Sequence, residues 1–348
     1  MEEHEDAQYC FQDRNSSCRR ASISTSIYIT LYIFFSLISV VTVFLNLLVI
    51  ISISHFKHFH TPTNLLILSL AVSDLLVGLI VIPAMTVAIL ESCWNFGEYF
   101  CVVLLYTTFL CTTSSLGLLV LISIDRYVAV CDPLMYHLKI TTTRMKYCIF
   151  ISWCFCITYD AILTKLHVNV QIPSRCFEEC YLVEGHFWIT MDIDFVISMV
   201  FPCSIIITLY LKIFMVARSQ AREVLSKGAA SVSGVKTVQV NKSERKAAKI
   251  LGLVIFNYLL FWNPVIFLFL MFSSNSLALF VLTFLPVINS FINPIIYALF
   301  YPWFKVAAKH ILTMKFISTP ASRYFQYSQL CSFTPALIST VCTSGHLC

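Results

Sequence analysis

Residues 26–53 read SIYITLYIFFSLISVVTVFLNLLVIISI and contain no charged side chain. A helix needs roughly 20 mostly apolar residues to cross the hydrocarbon core of a bilayer, so this stretch is long enough to span it. Six further apolar runs follow: 64–90, 99–127, 147–164, 187–217, 246–272 and 278–301. Each run must be helical, because lipid offers no partner to a free backbone group. The sequence therefore predicts an all-α membrane protein, a seven-transmembrane helix bundle, whose helices we number span one to span seven.

Composition and charge favour the same fold. Of the 348 residues, 58% are hydrophobic and 12% are charged, which is more apolar surface than a soluble domain can hide. Most of the 23 Lys and Arg residues follow spans one, three, five and seven, and an excess of these residues marks the cytoplasmic side. The net charge of +5 is therefore a topology signal and does not indicate nucleic-acid binding. The predicted division is an extracellular segment 1–25, the bundle 26–301, an amphipathic helix 302–315 and a cytoplasmic tail 316–348.

The amphipathic helix after span seven is predicted to lie on the membrane surface. Lys305 and Lys309 would lie among the lipid headgroups. The apolar residues predicted to face lipid are Trp303, Phe304, Ala307 and Ile311.

A set of polar residues on apolar helices is predicted to converge on one hydrated cavity inside the bundle. Its members are Asp74, Ser115, Asn289, Ser290 and Asn293. One carboxylate with several neutral oxygens suits a weakly held sodium ion, because hard cations prefer oxygen ligands. A water-filled hydrogen-bond network explains the same residues, and both interpretations remain open.

Charged residues at the inner end of span three suggest a switch. Asp125-Arg126-Tyr127 ends this span, and Glu244 opens span six on the same side of the membrane. A bridge between Arg126 and Glu244 would hold the two helix ends together, and its rupture would let span six swing outward. The alternative is a solvated cluster of boundary charges.

Pro202, Pro264 and Pro294 each lie inside a predicted span. Proline removes a helical hydrogen bond and kinks the helix. Kinks beside Trp262 and Asn293 would make spans six and seven deformable, although a purely structural kink is the simpler explanation.

These motifs, in this order, resemble the rhodopsin-like G protein-coupled receptors. The resemblance covers residues 26–315 and implies a plasma-membrane receptor that acts on a heterotrimeric G protein, with its N-terminus outside the cell. The residues that carry it are Asn46, Leu70 to Asp74, Asp125-Arg126-Tyr127, Trp153, Pro202, Tyr210, Trp262-Asn263-Pro264 and Asn293-Pro294-Ile295-Ile296-Tyr297.

A narrower resemblance points to the trace amine-associated receptors. It rests on residues 289–297 with 301–304, on Cys93-Trp94 with 96–98, and on Cys176 and Cys180. Those receptors are largely olfactory, detect volatile amines and raise cyclic AMP through a stimulatory G protein. The family pattern also implies three disulfides, Cys101–Cys180, Cys10–Cys176 and Cys18–Cys93. Separately, Asn15 opens an Asn-Ser-Ser sequon on the outer side and is a candidate glycosylation site.

Span three departs from the amine-receptor pattern, because Thr108 occupies the position where most amine receptors carry an ammonium-binding Asp. Asp194 lies about 12 Å outward from Pro202 along span five, at roughly 1.5 Å per residue. A branch of fish trace amine-associated receptors carries an acid at this place instead. We therefore expect Asp194 to be the counter-ion of the ligand ammonium, with the amine in a reversed orientation. The other predicted ligand-binding residues are Thr108, Thr112, Ser198, Trp262 and Asp160.

Asp160, on span four, has two interpretations. It could pair with Asp194 to bind a diamine, or it could stay protonated and hydrogen-bonded between helices. Asp192 is expected to be a solvated acid at the rim of the site.

Other functional classes fit less well. The chain has no His-Glu-x-x-His, Gly-x-Ser-x-Gly or P-loop motif, so we expect a receptor and not an enzyme. A light-sensing pigment needs a Schiff-base lysine in span seven, and residues 278–301 contain no lysine. The alternative that remains is a rhodopsin-like receptor for a non-amine ligand such as a peptide or a lipid.

Overall fold

The computed structural model of the protein is helical over nearly all of the residues that it describes. These residues are 24–56, 59–90, 97–167, 194, 196–226, 248–260, 288–299 and 302–312. Within them, five helices are long and apolar enough to cross a membrane: Thr25–His55, Pro62–Val87, Val102–Cys131, Thr142–Leu166 and Val196–Ser219. Two shorter apolar helices, Ala248–Leu260 and Ile288–Leu299, lie inside predicted spans six and seven.

The first two spans begin at side-chain caps that the local sequence supplies. The hydroxyl of Ser24 accepts a hydrogen bond from the backbone N–H of Ile27 at 3.4 Å, and Thr25–His55 follows. Thr61 caps the amide of Asn64 at 3.2 Å. Pro62 stands in the first turn of span two, where its missing N–H costs no helical hydrogen bond.

Spans two and five each contain a wide π-helical turn that ends two residues before a proline. Span two runs as Pro62–Leu76, then the π turn Val77–Val81, then Ile82–Leu90, which contains Pro83. In span five the π turn Val196–Val200 precedes Phe201–Ser226, which contains Pro202. A proline ring clashes with the carbonyl four residues earlier, and a wider turn relieves the clash.

Span three, Gly97–Cys131, lies at the centre of the bundle and packs against spans two, four and five. Span four is Thr142–His167. Spans one and two approach closely at Gly78, where an added Cβ would lie 3.0 Å from a methyl carbon of Val43. The freed carbonyl of Gly78 accepts a hydrogen bond from Ser39 at 2.8 Å, so the π turn leaves no unsatisfied acceptor at this position.

Two short helices lie at the inner ends of the spans. Pro133–Lys139 follows span three, and the sequence patterns did not predict it. Pro302–Leu312 follows span seven, in the predicted segment, and packs against span one. Its Phe304 and Ala307 are each 2% exposed, and Phe304 packs into the bundle core. The expectation that these two residues face lipid was therefore wrong, since an amphipathic pattern identifies an apolar face but not whether protein or lipid covers it.

Candidate ligand site and signalling core

A cavity lies inside the bundle between spans two, three, six and seven. Thr108 and Thr112 line it on span three, and Val254 and Tyr258 line it on span six. The structure also places at this cavity the five polar residues considered for a sodium site: Asp74, Ser115, Asn289, Ser290 and Asn293.

Asp74 is the centre of the polar network and is 2% exposed. One carboxylate oxygen accepts a hydrogen bond from the Ser290 hydroxyl at 2.7 Å, and the other accepts one from the Asn293 amide at 2.9 Å. Span seven is further tied to span one, because the Asn46 amide donates to the backbone carbonyl of Ser290 at 3.1 Å. These contacts explain how a carboxylate is accommodated between apolar helices: its oxygens are hydrogen-bonded where water is scarce.

Two members of this network were not identified in the sequence. Asn257, on span six, donates to the side-chain oxygen of Asn289 at 2.7 Å. Ser73, on span two, lies 3.0 Å from the Ser115 hydroxyl. A polar residue on an apolar helix was the available signal for Asn257. Ser73 stood inside a recognised motif but had no role assigned to it.

The hydroxyls on span three are partly committed to the helix itself. Thr108 donates to the backbone carbonyl of Leu104, and Thr112 donates to that of Thr108, each at 2.8 Å. Both residues are half-buried. Because the proton of each hydroxyl is already donated to a backbone carbonyl, each oxygen can take part in further hydrogen bonds only as an acceptor.

Asp194 is half-buried and turns toward span four. The Tyr159 hydroxyl donates to its carboxylate at 2.6 Å. Ser198 donates to the backbone carbonyl of Asp194 at 2.7 Å, so this hydroxyl also keeps only its acceptor capacity. Among the described residues, Asp194 is not part of the lining of the cavity.

Asp160 lies deeper between the helices and is 0% exposed. One of its oxygens accepts a hydrogen bond from the Thr113 hydroxyl on span three at 2.6 Å. Its other oxygen has no hydrogen-bond partner in the described part of the chain, and neither has the buried Thr164 hydroxyl one turn further along span four. The structure therefore places Asp160 in an interhelical contact, away from the described lining of the cavity.

At the inner end of span three, Arg126 pairs with Asp125 at 2.7 Å and donates to the Thr63 hydroxyl of span two at 2.6 Å. Tyr136, on the short helix Pro133–Lys139, donates to the other oxygen of Asp125 at 2.9 Å. Burial first, and then the charge of Asp125, raise the pKa of the Tyr136 phenol to about 12. This phenol therefore remains a donor at neutral pH. Neither Thr63 nor Tyr136 was identified in the sequence, because both partners come from segments whose packing no local motif specifies.

Other residues of the family motifs, Tyr127, Tyr210, Pro294 and Tyr297, also lie in the described helices. The motif pattern predicts that they take part in the activation switch, together with Asn293 and Pro264. Tyr297, in the helix that also contains Pro294, is fully buried. Lys212, on span five, lies with its ammonium 5.9 Å from the centre of the Tyr127 ring. The Tyr210 ring packs against Gly252 on span six, where an added Cβ would lie 3.1 Å from the ring carbon Cε1.

Several predicted residues lie outside the described residues. Glu244, Trp262 and Pro264 are among them, so the Arg126–Glu244 bridge stays a prediction. The same applies to Asn15 and to the three disulfides, since nothing is described of the side chains of Cys10, Cys18, Cys93, Cys101, Cys176 and Cys180.

The profile of a known family, described as "7 transmembrane receptor (rhodopsin family)", matches residues 45–297. The chain belongs to the rhodopsin family of seven-transmembrane receptors. This receptor is 36% identical over 335 residues to human trace amine-associated receptor 6, covering 92% of this chain and 96% of that protein. It is 38% identical to mouse trace amine-associated receptor 7e, with 91% of each chain covered, and 36% identical to rat trace amine-associated receptor 8a, with 92% of this chain and 97% of that protein covered.

Membership settles the broad functional class. The protein is a multi-pass membrane receptor and not an enzyme. Receptors of this family are typically located in the plasma membrane. Their partners are a ligand and a heterotrimeric G protein.

Proposed function

We propose that this receptor detects small amines and signals through a stimulatory G protein to cyclic AMP, in the manner of an olfactory trace amine-associated receptor. The similarity to proteins named trace amine-associated receptors supports this proposal. The fish-type arrangement, with the ligand-binding acid on span five, is part of the proposal.

One observation carries the assignment of the ligand charge: Asp194 holds a half-buried carboxylate in the outer half of span five. Its described side-chain partner is the neutral phenol of Tyr159, and within the described residues no Lys or Arg pairs with it. An ionisable group in a membrane span is costly and marks a functional site. A ligand ammonium would supply the opposite charge that this carboxylate lacks.

Span three supports this orientation of the ligand. Thr108 and Thr112 present oxygen acceptors to the cavity but no negative charge. A neutral hydroxyl can accept an N–H hydrogen bond, yet it cannot compensate a buried cation. The ammonium would therefore lie toward span five, and the apolar part of the amine would extend toward spans three and six.

A matched panel of ligands tests the proposal. Cells that express the receptor with a stimulatory olfactory G protein are exposed to several dozen amines, each beside the alcohol or hydrocarbon of the same shape. We expect a cyclic AMP response to at least one amine and none to its uncharged counterpart. Activation by uncharged lipids or by peptides, with every amine inactive, would establish the alternative ligand class instead.

We also propose that the Asp74 network holds a sodium ion when the receptor is inactive. The donor set fits, because the Asp74 carboxylate and the Ser115 hydroxyl line one cavity with the side-chain oxygen of Asn289, and hard cations take oxygen ligands. Replacing choline chloride by sodium chloride at constant ionic strength should lower agonist potency in the native receptor and leave Asp74→Asn unaffected. Equal sodium sensitivity in both proteins would refute the site.

A further inference from the structure

The hydrogen bond between Tyr159 and Asp194 joins span four to the proposed ammonium site. Its 2.6 Å length lies within the range of charge-assisted O–H···O⁻ bonds. The Tyr159 ring is itself held in place, because it stacks on Phe155 one turn earlier with ring centres 5.6 Å apart and planes 13° apart. This contact restricts the rotation of the Tyr159 ring, and a donor of restricted orientation favours one direction of the carboxylate that it binds.

In the described part of the protein, no neighbouring polar side chain donates a second hydrogen bond to the Asp194 carboxylate. The Ser198 hydroxyl donates its hydrogen bond to the backbone carbonyl of Asp194. Thr113 donates to Asp160 and not to Asp194. Tyr106, the other phenol near this interface, donates to the backbone carbonyl of Ile157 at 3.4 Å. The described side-chain donor to Asp194 is thus Tyr159.

We infer that Tyr159 is a positioning residue for the amine site, which holds the Asp194 carboxylate in place for the ligand ammonium without neutralising it. The inference rests on the proposed function and deepens it. A phenol can donate a single hydrogen bond, and here it goes to one carboxylate oxygen. The second oxygen stays available to an N–H of the ligand. A lysine or arginine in this place would satisfy the same carboxylate but would compete with the cationic ligand for its charge.

The phenol also makes the empty receptor stable. A carboxylate in the outer half of a membrane span needs a hydrogen-bond partner whenever no ligand is bound. Tyr159 supplies that partner, and because it is uncharged it does not need to leave when the ammonium arrives. The ligand then meets a carboxylate whose rotamer is already selected, which lowers the entropic cost of binding.

Tyr159→Phe is the direct test, because it removes the hydroxyl and keeps the ring. The probes are 2-phenylethylamine, isopentylamine and 1,5-diaminopentane. The amine that is most potent on the native receptor is then used as the agonist for comparing the variants. A hydrogen bond to a charged group is worth roughly a 10- to 100-fold change in binding. We expect the EC50 for cyclic AMP to rise by about this factor, with the maximal response and the surface amount unchanged. The thermal stability of the empty receptor should fall slightly, because the Asp194 carboxylate loses the hydrogen bond from Tyr159.

Tyr106→Phe is the matched control, since it removes a phenol hydroxyl of the same interface that donates to backbone. We expect its EC50 to stay within about threefold of the native value, the usual scale for a weak exposed contact. A native EC50 in Tyr159→Phe would overturn the positioning role. So would equal losses in the two phenylalanine variants, because they would indicate general disturbance of the interface.

Asp194→Asn is run in parallel to separate the two levels of the proposal. Loss of the amine response in Asp194→Asn together with a native Tyr159→Phe would refute the role of Tyr159 and leave the amine site standing. A full response in Asp194→Asn would refute the counter-ion assignment, and the role of Tyr159 would fall with it. The same conclusion would follow if the native receptor responded to no amine of the larger panel.

Discussion

Asp194→Asn removes the charge from the proposed ammonium site while it keeps the shape of the side chain. The asparagine oxygen can still accept the hydrogen bond that Tyr159 donates at 2.6 Å in the native protein. The substitution therefore removes the attraction for a cation and leaves the contact between spans four and five. We expect normal surface expression, because no buried group loses its partner.

The size of the effect follows from the surroundings of the carboxylate. Removing one partner of a buried charge pair costs about 3–5 kcal/mol. Asp194 is half-buried and not fully enclosed, so we take the lower end, about 3 kcal/mol, which corresponds to roughly a 100-fold loss of affinity. The measurement is the EC50 of an active amine in a cyclic AMP assay at matched surface expression.

Asp192→Asn is the control, because it makes the same chemical change two residues earlier in the chain. Asp192 lies outside the described residues, and the sequence predicts that it is a solvated acid at the rim of the site. We therefore expect this substitution to leave the EC50 within about threefold of native. An unchanged EC50 in Asp194→Asn, or equal losses in both variants, would refute the reasoning that a single charge on span five binds the amine.

Three further predictions concern neighbouring positions. Thr108→Asp places an acid on the wall of the cavity and should broaden recognition toward diamines; an unchanged ranking of mono- and diamines in the same cyclic AMP assay would count against the pocket geometry. Asp160→Asn should reduce the free energy of unfolding by about 1–3 kcal/mol, the usual cost of disturbing a buried hydrogen bond. It should leave the potency ratio of diamines to monoamines unchanged, because Asp160 is buried and bonded to Thr113. A selective loss of diamine potency would instead place Asp160 in the ligand site. Gly252→Ala brings a methyl group to 3.1 Å from the Tyr210 ring and should shift basal cyclic AMP relative to Leu253→Ala, an exposed neighbour; equal basal activity in the two variants would show that the ring relaxes without consequence.

The positions of the spans could be predicted from the sequence, because a helix that crosses a bilayer must be long and apolar. The predicted runs 26–53, 64–90, 99–127 and 147–164 all lie inside described helices. This requirement does not specify how a helix is wound. The π turn Val77–Val81 before Pro83 depends on local relief of a steric clash, which hydropathy does not register.

The candidate site was readable to the extent that its residues are unusual for a membrane. Asp74, Asp160 and Asp194 stand out in apolar helices because charge is rare there. Their partners do not stand out, since Tyr159 and Thr113 are ordinary residues in a membrane span and acquire a role only through packing between spans. Phe304 illustrates a second limit of sequence reasoning. Its apolar side chain was evident from the sequence, but the sequence did not show whether protein or lipid would cover it.

A structure of the receptor with a bound amine agonist tests the central claim most directly. The account predicts the ligand nitrogen within about 2.7–3.2 Å of an Asp194 carboxylate oxygen, the range of N–H···O hydrogen bonds, with Tyr159 still bonded to the other oxygen. A nitrogen bound beside Thr108, with the Asp194 carboxylate turned away from the ligand, would contradict it.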